Sequence, residues 1–353
     1  MPRNEGLFLR CLKPLDELVS LKLLLRVWGP RLAFAVRLIL VATFLDDSLR
    51  AATHFSEHTK QIREHGCLQP LAATSSELVG AIAAVALGFG LLAQSLGSIS
   101  ILALVQPDVA TKALIGWAIM QPIMYAQLAN VEFVAESLSL VGGLLILRAH
   151  LSEQAAEQRG GRRVPLGGGM LCALDGAACA PGASIARTQL LGRLLLPAVY
   201  LYHAVTLLLG ILRSHHSLSM FVFNTAVYAC LVVGCILVAA GLRSRTVALS
   251  LALVNLLFVC YEHPFFRYVW REGGEWRYDE YRVRRSMPHV AQPKGFSPHD
   301  LEAWHIVDLH RYYFFQGLST TGALLLLAQV GPGEIAVEED EVLVGDVQLV
   351  ARD

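Results

Sequence analysis

The sequence predicts an all-α polytopic membrane protein, with about eight transmembrane helices in two parallel four-helix repeats, and three observations carry that prediction. The first is composition: of 353 residues, 54% are hydrophobic and only 16% charged, against roughly 25% charged in soluble domains. Mean hydropathy is +0.49. The second is segment length, because a helix needs about 20 mainly apolar residues to cross a hydrocarbon core of about 30 Å. Such segments occur near 31–49, 78–105, 110–128, 131–149, 189–211, 218–241, 246–262 and 311–330. The third is an internal repeat. Arg37-Leu38-Ile39-Leu40-Val41-Ala42-Thr43-Phe44 returns in outline as Arg193-Leu194-Leu195-Leu196-Pro197-Ala198-Val199-Tyr200, and Leu138-Ser139 through Gly142 to Leu147 returns as Leu318-Ser319 through Gly322 to Leu327. Four spans separate the copies, so the halves share one orientation, as parallel repeats do.

In chain order, residues 1–29 read as an amphipathic cytosolic segment, apolar groups alternating with Lys13, Asp16, Lys22 and Arg26. Residues 30–150 form the first four-helix repeat, whose second span is long enough to tilt or to break at Gly88, Gly90 or Gly97. The third span carries Gln121, Pro122 and Gln127, and crossing or re-entry both fit it. Residues 151–187 hold Gly160-Gly161 and Gly167-Gly168-Gly169 and read as a flexible cytosolic linker. The second repeat covers 188–332 with a charged, aromatic lumenal insertion at 267–305, and 333–353 is an acidic cytosolic tail. Small residues at Ser139, Gly142, Gly143, Ser319, Gly322 and Ala323 allow close helix approach, which carries association in lipid.

Orientation follows from Lys and Arg near the span ends. An eight-span chain with its N-terminus inside places 16 of them on the cytosolic side and 12 opposite. Arg37 and Arg193 fall near the cytosolic ends of their helices, where long basic side chains snorkel or serve packing.

The 29 basic residues equal the 29 acidic ones, so no global field draws nucleic acid. Seven cysteines, with no Cys-x-x-Cys pair, have the spacing of neither a zinc site nor a disulfide framework. His54, His58 and His65 around Glu57, and the pair His215-His216, lack a second acidic ligand set. No serine-hydrolase elbow, zincin or phosphate-loop motif occurs, so the expectation is a protein that is not an enzyme and carries no cofactor.

Four carboxylates stand out. In the orientation above, the first span ends at Asp46-Asp47 on the lumenal side, and the fourth begins there with Glu132 and Glu136, one turn apart on one face. Acids at the membrane face a cavity or a partner and are functional by default, whereas simple interfacial wetting is the structural reading. Tyr202-His203, Tyr312 and Gln316 hold the corresponding positions in the second half and complete a candidate vestibule.

The run Thr43-Phe44-Leu45-Asp46-Asp47-Ser48-Leu49-Arg50, then Ser56-Glu57, resembles the opening of the surfeit locus protein 4 family. Tyr312-Tyr313-Phe314-Phe315-Gln316-Gly317-Leu318-Ser319, then Gly331-Pro332-Gly333, is similar to that family's last span and exit, and Gln189 to Arg193 and Leu138 to Leu147 fit as well. The resemblance implies a multi-pass endoplasmic-reticulum cargo receptor that binds soluble secretory proteins in the lumen. It implies loading of that cargo into coat protein II (COPII) vesicles and cycling through the intermediate compartment to the Golgi. It also implies recognition of a signal at the cargo's mature N-terminus, with a charged amine met by carboxylates. Asp46 and Asp47 carry over by motif; Glu132 and Glu136 do not. Residues Gln348 to Asp353 lack the dilysine-type retrieval signal of animal members.

The cargo-binding candidates are therefore Asp46, Asp47, Glu132, Glu136, Tyr312 and Gln316, with cargo, the COPII coat and membrane lipids as partners and nucleic acid excluded. Self-association into a homo-oligomer is left open. Parallel repeats with acids near a cavity also suit a small-molecule or proton-coupled transporter. A DoxX-like oxidoreductase subunit shares the four-helix unit but would need a redox-ligand set that the sequence does not offer.

Overall fold

The computed structural model describes residues 21–69, 75–158, 181–213, 218–273, 275–286 and 303–337. Helix α1 runs Leu21–Thr53, α2 Phe55–His65, α3 Ser76–Ala103, α4 Pro107–Met124 and α5 Val131–Gln158. Then come α6 Pro181–Leu195, α7 Ala198–Arg213, α8 Leu218–Ala240 and α9 Ser244–Glu262. A 3-10 turn at Phe265–Arg267 leads to β1 Val269–Glu272, β2 Glu275–Tyr278 and α10 Glu280–Ser286, and α11 Ala303–Val330 closes the series.

The protein is an all-α membrane protein with one small β-element. Among the described residues, Ser76–Ala103, Ala183–Arg213, Leu218–Ala240 and Ser244–Arg267 are long and apolar enough to cross a membrane. In α3, Ala83, Leu87 and Gln94 are buried while Val85 and Phe89 are more than 70% exposed. That outer apolar face is what a lipid-facing helix requires.

Helices α1, α5 and α11 make the interior: α1 packs on α11, α5 on α6, and α5 on α11. Leu40, Leu144, Leu196 and Leu324 are almost fully buried there. The contacts come in matched pairs. A Cβ on Gly322 would stand 2.5 Å from the Leu40 backbone nitrogen, and a Cβ on Gly142 would stand 2.5 Å from that of Leu196. Only glycine permits so close an approach of two backbones. Beside each contact a serine enters the neighbouring helix. The Thr43 N–H donates to Ser319 Oγ at 2.9 Å, and that hydroxyl donates to the Ile39 carbonyl at 3.2 Å, so one serine contacts two backbone groups of α1. In the other pair the Val199 N–H donates to Ser139 Oγ at 3.0 Å, beside the Pro197 break between α6 and α7.

Several expectations need correction. The first helix does not stop at Asp47 but continues to Thr53, and from Leu21 it is continuous with the span, so residues 21–29 are no separate segment. Residues 1–20 lie outside the described residues. At 33 residues α1 extends about 50 Å, well past the apolar core, because backbone hydrogen bonding carries a helix on into the headgroup region. For the same reason α5 and α6 occupy 151–158 and 181–187 of the expected linker, and α11 starts at Ala303. Helix α3 has no break at its glycines, and α4 stays helical through Pro122.

The insertion at 267–305 contains an antiparallel hairpin, pairing Val269 with Tyr278 and Glu272 with Glu275. Gly273, just after β1, has a φ of +61°, a conformation that favours glycine. Val283, Ala303, Ile306 and Val307 form a small core that docks this lobe on α11.

At the opposite end of the bundle Arg193 is 1% exposed, so it does not snorkel. Its guanidinium donates to the Pro332 and Ile335 carbonyls, while Arg245 donates to the Gln329 and Val330 carbonyls. Two arginines thus satisfy the orphan acceptors at the end of α11 and the turn beyond it. The acidic run Glu338-Glu339-Asp340-Glu341 lies outside the described residues.

Candidate functional site: a divided carboxylate cluster

The ends of α1 and α4 and the starts of α5 and α11 meet at one end of the bundle. There the four carboxylates separate into two kinds. Asp46 Oδ1 accepts from Arg311 Nε at 2.8 Å and Nη2 at 2.5 Å. Asp47 accepts from Arg50 Nη2 and from Gln121 Nε2, both at 2.8 Å. Arg50 also donates to Asp308 at 2.9 Å and stands 5.2 Å from the centre of the Tyr312 ring. The network ties α1, α4 and α11 together and leaves neither aspartate without a counter-charge. Below it, Thr43 Oγ1 donates to Gln316 Oε1 at 3.0 Å; Gln316 is 3% exposed and serves this helix contact.

Helix α2 lies across the network. Ile62 anchors it, and the Tyr125 hydroxyl meets His58 Nδ1 at 3.2 Å. Burial, and then the nearby Arg50 guanidinium, hold the His58 imidazole below its ordinary value. A small pocket beneath is lined by Asp47, Arg50, His58, Gln94, Trp117 and Gln121. Gln94 Oε1 and Trp117 Nε1 are buried without hydrogen-bond partners.

Glu132 and Glu136 differ. Glu132 Oε2 accepts from the Tyr202 hydroxyl at 3.4 Å, a long contact. Glu136 is 8% exposed and its Oε2 has no hydrogen-bond partner. Aromatic rings flank the pair: Phe133 stacks on Tyr312 at 5.9 Å, and Tyr312 meets Tyr313 edge to face at 5.4 Å.

Five of the six candidates therefore do converge around the α1, α5 and α11 ends, with Gln316 a turn deeper. Tyr312, at 7% exposure, is a wall between the two kinds of carboxylate and not an open surface. Sequence reasoning missed the cations. Arg50 was signalled by its three-residue spacing from Asp47, which puts both on one helix face. Arg311 and Asp308 carried no signal, since their partners are more than 250 residues away. Among the described residues no group of three or more His, Cys, Asp or Glu is placed to hold a metal ion.

A polytopic helical bundle with an ion-paired polar end is the class these features define. The SURF4 family model matches residues 21–165, which takes in α1 to α5 and all four carboxylates. Over that region the chain is similar to the SURF4 family, the family its motifs resemble. No solved structure matches.

Proposed function

We propose that this chain is an endoplasmic-reticulum cargo receptor, which binds soluble secretory proteins in the lumen and packages them into COPII vesicles bound for the Golgi. The single observation that carries the reading is the coincidence of the SURF4 match with a polar cluster at one bundle end. In this reading eight helices cross the membrane as two parallel four-helix repeats, with the carboxylate end lumenal. The matched Gly142 and Gly322 contacts, and the matched Ser139 and Ser319 bridges, support a two-fold relation between the halves. The four crossing helices with less apolar windows would be the inner ones, which need fewer lipid-facing residues because neighbours cover them.

Deleting the protein should slow secretion of its soluble cargo, and unchanged secretion rates would remove the proposal. A photoreactive residue belongs at Val131, which is 63% exposed beside the glutamates. Recovery of secretory proteins joined through their mature N-termini is the expected product.

The transporter alternative has one observation of its own, the buried and unpartnered Gln94 and Trp117 beside Asp47. Solute or proton flux in proteoliposomes that vanishes with Asp47→Asn would select it.

A further inference from the structure

Of the four carboxylates at the polar end, the two glutamates at the start of α5 are the pair whose charge the described residues leave uncompensated. No Lys, Arg or His nitrogen among the described residues lies within ion-pair distance of either carboxylate, while Asp46 and Asp47 both have arginines. Glu136 is more than nine-tenths buried, and an oxygen of it has no donor. A buried carboxylate in that state is costly unless a proton or an external cation completes it. The surroundings select among cations. Two carboxylates are too few for a calcium shell of six to eight oxygens, and no metal-holding group is found among the described residues. Tyr202 donates to Glu132, and Tyr312 and Tyr313 both lie within electrostatic reach of Glu136, with Phe133 stacked on Tyr312, so aromatic side chains border the acids. Carboxylates bordered by aromatic rings suit an organic ammonium, which the ring quadrupole attracts and which loses less hydration than a metal ion.

We propose that Glu132 and Glu136, walled by Tyr202, Tyr312 and Tyr313, bind a primary ammonium group. Resting on the receptor reading above, that group is the free amine at a cargo's N-terminus; an aminophospholipid headgroup carries the same chemistry. Asp46 and Asp47 differ in that Arg311 and Arg50 already balance their charge.

The test uses the full chain in nanodiscs of phosphatidylcholine, which has no primary amine. The probe is a short apolar peptide amide with a C-terminal fluorophore, prepared with a free and with an acetylated amino terminus, and binding is read by anisotropy. The free-amine peptide should bind at least tenfold more tightly than the acetylated one. Glu136→Gln and Glu132→Gln should each remove most of that difference without lowering the melting temperature, and Glu136→Asp should keep part of it. Equal binding of the two peptides, or a Glu132→Gln/Glu136→Gln double variant that binds as the parent does, would overturn the site and mark Glu136 as a protonated filler. Nanodiscs doped with phosphatidylethanolamine separate the sources: loss of peptide binding there supports the ammonium site with a lipid occupant, and unchanged binding supports the peptide. Amine-dependent binding in a protein whose deletion leaves secretion unchanged would keep the site and remove the receptor reading.

Discussion

Asp46 and Asp47 differ from Glu132 and Glu136 in only one respect that matters: which neighbours arrive. Both pairs sit at the same end of the bundle, on helices that belong to its interior. Around the aspartates, α1 and α11 bring Arg50 and Arg311 within 2.8 Å. The glutamates receive one long hydrogen bond, from Tyr202. An acid with a fixed counter-charge holds helices together, and an acid without one is free to meet a charge from outside. The comparison assigns structure to the aspartates, and the proposal above places recognition at the glutamates.

The largest effect should come from breaking the compensated side. Arg311→Ala leaves Asp46 buried and unpaired, which should cost about 3 kcal/mol and appear as a clear drop in the thermal unfolding midpoint in detergent. Exchanging the partners, as Asp46→Arg with Arg311→Asp, should recover part of it. Next come the helix crossings. Gly142→Ala and Gly322→Ala should each cost about 1 to 3 kcal/mol through backbone overlap, whereas Gly88→Ala, with no atom within 4 Å, should be neutral. Similar losses at the two crossings would support the two-fold relation, and a loss at only one would weaken it. Glu136→Gln should change stability by less than about 1 kcal/mol, because no protein partner is left unpaired by the change.

The smallest effect is a pH dependence in α2. The folded protein holds His58 below its unfolded value near 6.5, so it binds fewer protons than the unfolded chain. The resulting stability is present above that value and is lost as pH falls through the lower folded one. The protection of amides 55–65 against hydrogen exchange, relative to their intrinsic rates at each pH, should therefore fall on acidification below about pH 6.5, less so in His58→Gln. A flat profile in the parent would separate α2 docking from His58.

Apolar runs made the helices legible, and the Ser-x-x-Gly repeats at Ser139 and Ser319 marked the two crossings that the structure realises in matched form. Helix ends were less legible, because hydrogen bonding continues past the hydrophobic stretch: α1 reaches Thr53 and α11 begins at Ala303. The hairpin had a readable signal, since Gly273-Gly274 separates Val-Trp-Arg-Glu from Glu-Trp-Arg-Tyr, two short runs rich in strand-favouring residues. The division of the carboxylates was not readable. Asp46 looked like a binding residue because its partner, Arg311, is supplied from the far end of the chain. Arg193 looked like an interfacial cation because the carbonyls it caps belong to a turn that only the folded chain brings near.

The central claim is the split between holding and binding, and one side-by-side measurement tests it. Asp46→Asn/Asp47→Asn and Glu132→Gln/Glu136→Gln variants would be expressed in cells lacking the parent, and each assayed for melting temperature and for secretory cargo retained on purification. The account predicts a lower melting temperature in the aspartate variant, and in the glutamate variant a parental melting temperature with at least tenfold less cargo. An aspartate variant that melts like the parent, beside a glutamate variant that retains its cargo, would contradict it.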